Sequence, residues 1–205
     1  MLYLDTVQHD TLALLKTLQS MPELRHTRLV GGTALALQLG HRMSIDLDLF
    51  GKIDSDSEAL RIAFSKQHLS AIVTHTSTHI FQFLIQSIQV DIVNYPYPWL
   101  GDPVLGDGIA LAGLSDIAAM KLSAITNRGT KKDFVDLFFL LNIYSLGEML
   151  RLYKDKYPDG AIFNVMQSLT YFNDAETDPM PRLLAACQWS QVKQTITSTV
   201  RDFLH

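Results

Sequence analysis

The stretch that decides the fold is LVGGTALALQLGHRMSIDLDLF, residues 29–50. Thr27 to Val30 reads as a short strand running into Gly31-Gly32. Thr33 to Leu39 (TALALQL) then reads as a helix closed by Gly40, a residue type that commonly ends helices. Ser44 to Phe50 alternates apolar and acidic residues, the pattern of a half-buried strand with Ile45, Leu47 and Leu49 on the inner face. Residues two apart in a strand share a face, which aims Asp46 and Asp48 the same way. A glycine pair opening a helix offers bare backbone N–H groups at a positive dipole end, and such an end suits a phosphate.

Two carboxylates on one strand face repel each other, and a divalent cation removes that cost. The bland alternative is a surface strand whose polar face is acidic. A DxD pair is weak evidence by itself, since sugar-nucleotide transferases also use one for a metal. The DxDx[TV] pattern of haloacid-dehalogenase-type phosphatases fails here, because Leu49 and Phe50 follow Asp48. Neither competitor calls for an upstream glycine turn. Thr33 can bind a phosphate oxygen or cap the helix. Ser44, on the same face as Asp46, can reach a phosphate or the metal shell. Arg42 suits a triphosphate, with a structural salt bridge as its alternative, and His41 reads as a turn residue.

Working outward, residues 6–20 and 56–68 read as helices. Ile80 to Leu84 and Ile88 to Val93 read as an antiparallel hairpin around Gln86-Ser87. Asp91 sits alone inside IQVDIV (88–93), where an acid is expensive unless paired or metal-bound. If that strand lies beside the Asp46/Asp48 strand, three carboxylates converge, enough for two Mg2+ ions or for one ion and a base. YPYPWLGDPVLGDG (95–108) breaks the pattern and marks a boundary. Beyond it, helices are predicted at about 115–127, 131–142, 145–156, 160–170 and 189–204, with 172–182 as an irregular loop. The expected division is an α/β core over 1–108 and a helical region over 109–205 that packs on the core and completes the active site.

A second cluster lies in that helical half. Lys121 falls on the apolar stripe of its helix, either as a snorkelling side chain or as a fixed charge against a nucleotide phosphate. Thr130 and Asp133 have capping-box spacing, with Asp in place of Glu. Asp136, one turn on, borders an apolar run and invites Lys121 or Arg128 as partner. Arg128, Lys131 and Lys132 form the only dense basic spot, a candidate docking surface for RNA.

The chain has 205 residues, 47% of them apolar and 19% charged, enough for a real core. A net charge of −4 argues against a general nucleic-acid coat. The lone Cys187 excludes an internal disulfide framework and a cysteine-rich zinc site. The opening MLYLDTVQHD has no basic segment or long apolar run, and no stretch is apolar enough to span a membrane. A soluble cytoplasmic protein is expected.

Together LVGGTALALQLGHRMSIDLDLF (29–50), IQVDIV (88–93) and AAMKLSAITNRGTKKDFVDLFFLL (118–141) resemble the AbiEii/AbiGii-type nucleotidyltransferases, toxins of abortive-infection and toxin–antitoxin systems. The resemblance implies an α+β fold: a polymerase-β-like nucleotidyltransferase core, with a mixed sheet and flanking helices, followed by a helical C-terminal half. It implies an NTP substrate and Mg2+; RNA such as tRNA is the candidate acceptor and a cognate antitoxin the candidate partner, though the resemblance does not itself carry the acceptor. Residue by residue, it implies that Gly31, Gly32 and Thr33 hold phosphates and that Asp46 and Asp48 hold metal. Asp91 looks like the third carboxylate. Lys121 matches the lysine of the family's helical motif, and Asp133 or Asp136 the acid of the next. Arg42, Ser44 and Arg128 join the nucleotide-binding set. The alternatives are a catalytically inactive nucleotide- or antitoxin-binding module and a sugar-nucleotide transferase.

Overall fold

The computed structural model describes all 205 residues, which fall into two compact units. The first comprises Met1–Leu39, Ser44–Pro96 and Pro103–Ala112. Its frame is a seven-stranded mixed sheet in the order β3-β4-β5-β2-β1-β7-β6. The strands are β1 (Thr27–Leu29), β2 (Leu47–Gly51), β3 (Ala71–Thr76), β4 (Ile80–Ile85), β5 (Ile88–Asn94), β6 (Val104–Gly106) and β7 (Ile109–Leu111). Strand β2 runs antiparallel to β1 and parallel to β5. The helices of this unit are α1 (His9–Ser20), α2 (Gly31–Leu39) and α3 (Ser57–Lys66).

The apolar periodicity accounts for these elements. Leu14, Leu15 and Leu18 of α1, Leu35 and Leu37 of α2, and Leu60 and Phe64 of α3 are buried, as are Leu29, Leu47, Leu49, Phe83, Val90 and Ile92 of the sheet. Phe64 meets Phe83 edge-on at 5.1 Å, a favoured aromatic geometry. The β4–β5 hairpin turns at Gln86 and Ser87, both with positive φ (52° and 66°), the backbone of the mirror-image turn that matches strand twist. Gly40 has φ +68°, the left-handed helix stop expected of it.

Three expectations for this unit change. The strand after Arg42 begins at Leu47 rather than Ser44, so Asp46 precedes it and Ile45 is 57% exposed instead of joining Leu47 and Leu49 inside. Ser44 makes only an isolated bridge to Val7. Strand β3 carries no buried residue, so its sequence lacks the in–out alternation that marks a strand. The segment 95–108 is more than a boundary, since it contains β6, and β7 follows at once.

The second unit comprises Gly40–Met43, Tyr97–Asp102 and Gly113–His205. The division therefore differs from a single cut after residue 108: β7 stays with the sheet, and two short upstream segments belong with the helices. Those helices are α4 (Leu114–Asn127), α5 (Lys131–Leu140), α6 (Leu146–Lys156), α7 (Ile162–Leu169) and α8 (Trp189–Leu204). Each lies within a few residues of its sequence-based range, because each has a strong apolar stripe. Their core includes Ile117, Leu122, Phe134, Leu137, Met149, Val165, Val192 and Ile196. Helix α6 starts with a full capping box between Ser145 and Glu148. No helix is long and apolar enough to cross a membrane.

Candidate active site

The glycine turn and the acidic strand meet closely. Gly31 opens α2 at φ +68°, and a Cβ built there would lie 2.2 Å from Asp48 Oδ2. Gly31 is thus required twice: its φ is costly for any L side chain, and the space a side chain would fill holds the Asp48 carboxylate. The Val30 amide donates to the Asp48 carbonyl at 2.8 Å, tying the turn to β2. Gly31→Ala is expected to lower the melting temperature by several degrees and to cut about a hundredfold any activity that depends on the Asp48 carboxylate, because that carboxylate is displaced. Gly108→Ala is the matched control. Gly108 has φ +78° but open space around its missing Cβ, so this change should lower stability and leave the rate within about twofold. Equal loss of rate in both variants would contradict the assignment.

Thr33 has a different place from the one expected of a phosphate ligand. It is buried; its hydroxyl donates to the Asp46 carbonyl and shares a hydrogen bond with the Ser44 hydroxyl, the two oxygens 2.9 Å apart. It therefore fastens the first turn of α2 to the segment that carries Asp46. Asp91 lies on β5 directly opposite Asp48 in the parallel register, and hence on the same sheet face. The strand adjacency is as expected, but the three carboxylates do not gather around one ion position, so Asp91 does not join Asp46 and Asp48 as the expected third metal ligand. Two amides reach Asp91: Gln82 Nε2 donates to Oδ2 at 2.8 Å and Gln89 Nε2 to Oδ1 at 2.9 Å.

No three His, Cys, Asp or Glu side chains gather into a metal cage. The donor set nevertheless fits Mg2+. That ion takes hard oxygen ligands and is commonly held by one or two carboxylates, with water and substrate phosphates completing its shell. Asp48 on β2 and Asp46 just ahead of it supply carboxylates of that kind, and the missing Gly31 side chain is what makes space for the Asp48 carboxylate.

The second group of expected site residues forms a buried ion cluster inside the helical unit. Asp136 is fully buried. Its Oδ1 accepts from Arg42 Nε and contacts His41 Nε2, both at 2.7 Å, and its Oδ2 accepts from Arg42 Nη2 at 2.9 Å and Lys121 Nζ at 2.6 Å. Lys121 also donates to Asp133 Oδ1 at 2.9 Å, and Arg128 and Thr130 bond the same carboxylate. Arg42 is thus the structural salt bridge rather than a guanidinium extended toward a triphosphate. Lys121 is spent on two aspartates rather than standing open to a phosphate. The Thr130 hydroxyl donates to Asp133 instead of capping the helix, so no capping box forms; Asp178 Oδ2 accepts from the Lys131 amide in its stead. His41, read from the sequence as a turn residue, is a buried member of the cluster, with Nδ1 lacking a hydrogen-bond partner.

The basic spot also changes. Lys131 is 6% exposed; its ammonium is held by the carbonyls of Glu176 and Asp178 and sits 5.3 Å from the centre of the Trp189 ring. It fastens the 172–182 loop to α5 and is not a docking residue. Lys132 remains exposed, and Arg128 keeps more than half of its side chain exposed while bonding Asp133. The Asp116–Lys156 pair gave no sequence signal. It is fully buried at 2.6 Å, with Lys156 also donating to the Pro98 carbonyl.

Burial alone would push the Asp133 and Asp136 carboxyls up. The Lys121 charge, with Arg128 at Asp133 and Arg42 at Asp136, outweighs it and holds both well below the usual range. Burial likewise opposes the charge on Lys121, but Asp136 and Asp133 raise it. The aspartate contribution to stability is therefore complete above their ordinary value of 3.8 and is lost as pH falls through the lowered folded values. The lysine contribution is complete below 10.5 and is lost as pH rises through its raised value. Thermal unfolding measured across pH should show a plateau between these limits, with a shallower acid limb in Asp133→Asn. An acid limb unchanged in that variant would contradict this account.

The chain is similar to known proteins in sequence and in fold. The sequence model of the nucleotidyl transferase AbiEii toxin family, a type IV TA system, matches residues 13–203. The chain belongs to the AbiEii nucleotidyltransferase toxin family. It is 34% identical over 181 residues to the uncharacterized protein aq_aa25 of Aquifex aeolicus, covering 86% of this chain and 87% of that one. JHP933 from Helicobacter pylori has the same fold, with TM-score 0.62 at 18% identity over 95% of this chain and 92% of that one. So does the nucleotidyltransferase toxin MenT4 of Mycobacterium tuberculosis, with TM-score 0.59 at 16% identity over 94% and 84%. As an AbiEii member the chain is a nucleotidyltransferase with the expected α+β fold, a mixed sheet followed by a helical C-terminal half.

Proposed function

We propose that this AbiEii protein moves a nucleoside monophosphate from an NTP to a hydroxyl of an RNA acceptor such as tRNA, as the toxin of a toxin–antitoxin pair. The observation that carries the reading is the seat of Asp48 against the side-chain-free Gly31, with Asp91 beside it on the neighbouring strand. Asp46 and Asp48 hold Mg2+, and the amides of Gly31 and Gly32 with the Ser44 hydroxyl receive phosphate oxygens. When bound, the metal offsets the charge of the triphosphate and of the departing pyrophosphate. Asp91 keeps lone pairs beyond those its two amide bonds use, so it can accept the acceptor's hydrogen. In the transfer, the acceptor oxygen bonds to the α-phosphorus while the bond from that phosphorus to the bridging oxygen breaks. The hydroxyl proton passes to Asp91, and pyrophosphate leaves.

Thr33 acts in this reading as a positioning residue, and Arg42, Lys121, Asp133 and Asp136 hold the helical unit together. Thr33 fixes the Asp46 carbonyl, and the ion cluster grips His41 and Arg42, just ahead of Ser44 in the chain. Arg128 and Lys132 are the solvent-exposed cations of the basic spot that RNA phosphates would meet, and the cytoplasm is the compartment in which such an acceptor is met. The test is to incubate the protein with Mg2+, total tRNA and each of the four NTPs labelled at the α-phosphate. Label on RNA from at least one NTP is expected. Label only on protein or on small molecules would reject the RNA acceptor.

A further inference from the structure

Gln82, Asp91 and Asp48 form one polar row across three adjacent strands. Asp91 of β5 faces Asp48 of β2 on one side and Gln82 of β4 on the other, each in direct register. Gln89, two residues before Asp91, shares its face. The side-chain amides of Gln82 and Gln89 converge on Asp91 from two sides, one on each carboxylate oxygen, at 2.8 and 2.9 Å. A carboxylate directly opposite another on a sheet is pushed away by it. The two amides oppose that push and fix both the direction and the plane of the Asp91 group. Neither glutamine is needed to fill the core, since both are only half-buried, and each gives up rotamer freedom to point at one acceptor.

We propose that Gln82 and Gln89 are positioning residues for the transfer step, holding the Asp91 carboxylate beside Asp48 where the acceptor hydroxyl must present its hydrogen. This rests on the nucleotidyl-transfer reading above. The amides touch neither NTP nor acceptor, so their loss should slow the step without weakening nucleotide binding.

Gln82→Met, Gln89→Met and the double variant keep side-chain bulk and remove the donors. Gln82→Glu keeps the shape and replaces the donor with a second carboxylate. Steady-state transfer is measured for each in the wild-type and the Asp91→Ala backgrounds, with thermal unfolding as the check on folding. The double Met variant is expected to lose about tenfold to a hundredfold in kcat with KM for the NTP within about twofold, and Gln82→Glu to lose at least as much as Gln82→Met. In the Asp91→Ala background the glutamine changes should cause no further loss, because residues acting through one group are not additive. Full kcat in the folded double variant, or an equal loss with and without Asp91, overturns the proposal while leaving nucleotidyl transfer standing. Absence of transfer by the wild type overturns that reading and this inference with it.

Discussion

Asp48→Asn should abolish transfer, with kcat falling by about a thousandfold or more, while the protein melts no lower than the wild type. Loss of one charge-stabilising group at a reacting centre is commonly worth a factor of 10² to 10³, or about 3–4 kcal/mol. Asp48 is expected at or above the top of that range because it is also a proposed metal ligand. The stability half is equally informative. Asp48 stands directly opposite Asp91 in the β2–β5 register, and like charges so placed destabilise a sheet. Neutralising one relieves that repulsion, so the melting temperature should stay level or rise. Loss of activity without loss of stability is the mark of a functional residue. A melting temperature several degrees lower, with activity retained, would make Asp48 a structural residue.

Asp136→Ala should have the largest effect on stability. It removes the carboxylate shared by His41, Arg42 and Lys121 and leaves the Arg42 and Lys121 charges buried without that partner. Breaking a buried ion pair from one side costs about 3–5 kcal/mol, which for a chain of this size is a fall of about 10 °C or more in melting temperature. Lys121→Met should cost less, because Asp136 keeps Arg42 and Asp133 keeps Arg128 and Thr130. Differential scanning calorimetry of the two variants measures the order directly. Asp136→Ala melting within about 2 °C of the wild type would contradict a cohesive role for the cluster.

Much of the fold was legible because it depends on local periodicity. The five C-terminal helices carry apolar stripes over ten or so residues, and the β4–β5 hairpin shows two apolar runs around a two-residue turn. Strand β3 was not legible, since every one of its residues from Ile72 to Thr76 is exposed and no inner face marks it. Asp46 and Ile45 were assigned to a regular strand because the alternation continues through them. The pairing does not, as Ser44 bridges Val7 instead.

At the site, the glycine turn and the Asp46/Asp48 pair could be read as a unit because they lie within one short run of chain. The partners of Asp91 could not be named, although Gln89 is two residues away, because a half-polar strand face does not say which side chains converge. The apolar stripe around Lys121 and the acid one helix on make its burial and its pairing with Asp136 legible in the sequence. Arg42 and His41 are 94 and 95 residues from Asp136, and only the tertiary fold joins them. The same holds for Lys131, whose basic sequence context pointed to RNA while its ammonium closes an internal loop.

In the proposed reaction, Asp46, Asp48 and Asp91 serve transfer of the nucleotidyl group of an NTP, with its α-phosphorus, to the acceptor. The most direct measurement compares α-labelled with γ-labelled NTP in the same Mg2+-containing reaction with total tRNA, using wild type and Asp48→Asn. With the wild type, α-label is expected covalently attached to RNA and γ-label to be released only as pyrophosphate; Asp48→Asn is expected to give neither. Transfer of γ-label to the acceptor, or α-label transfer undiminished in Asp48→Asn, would contradict it.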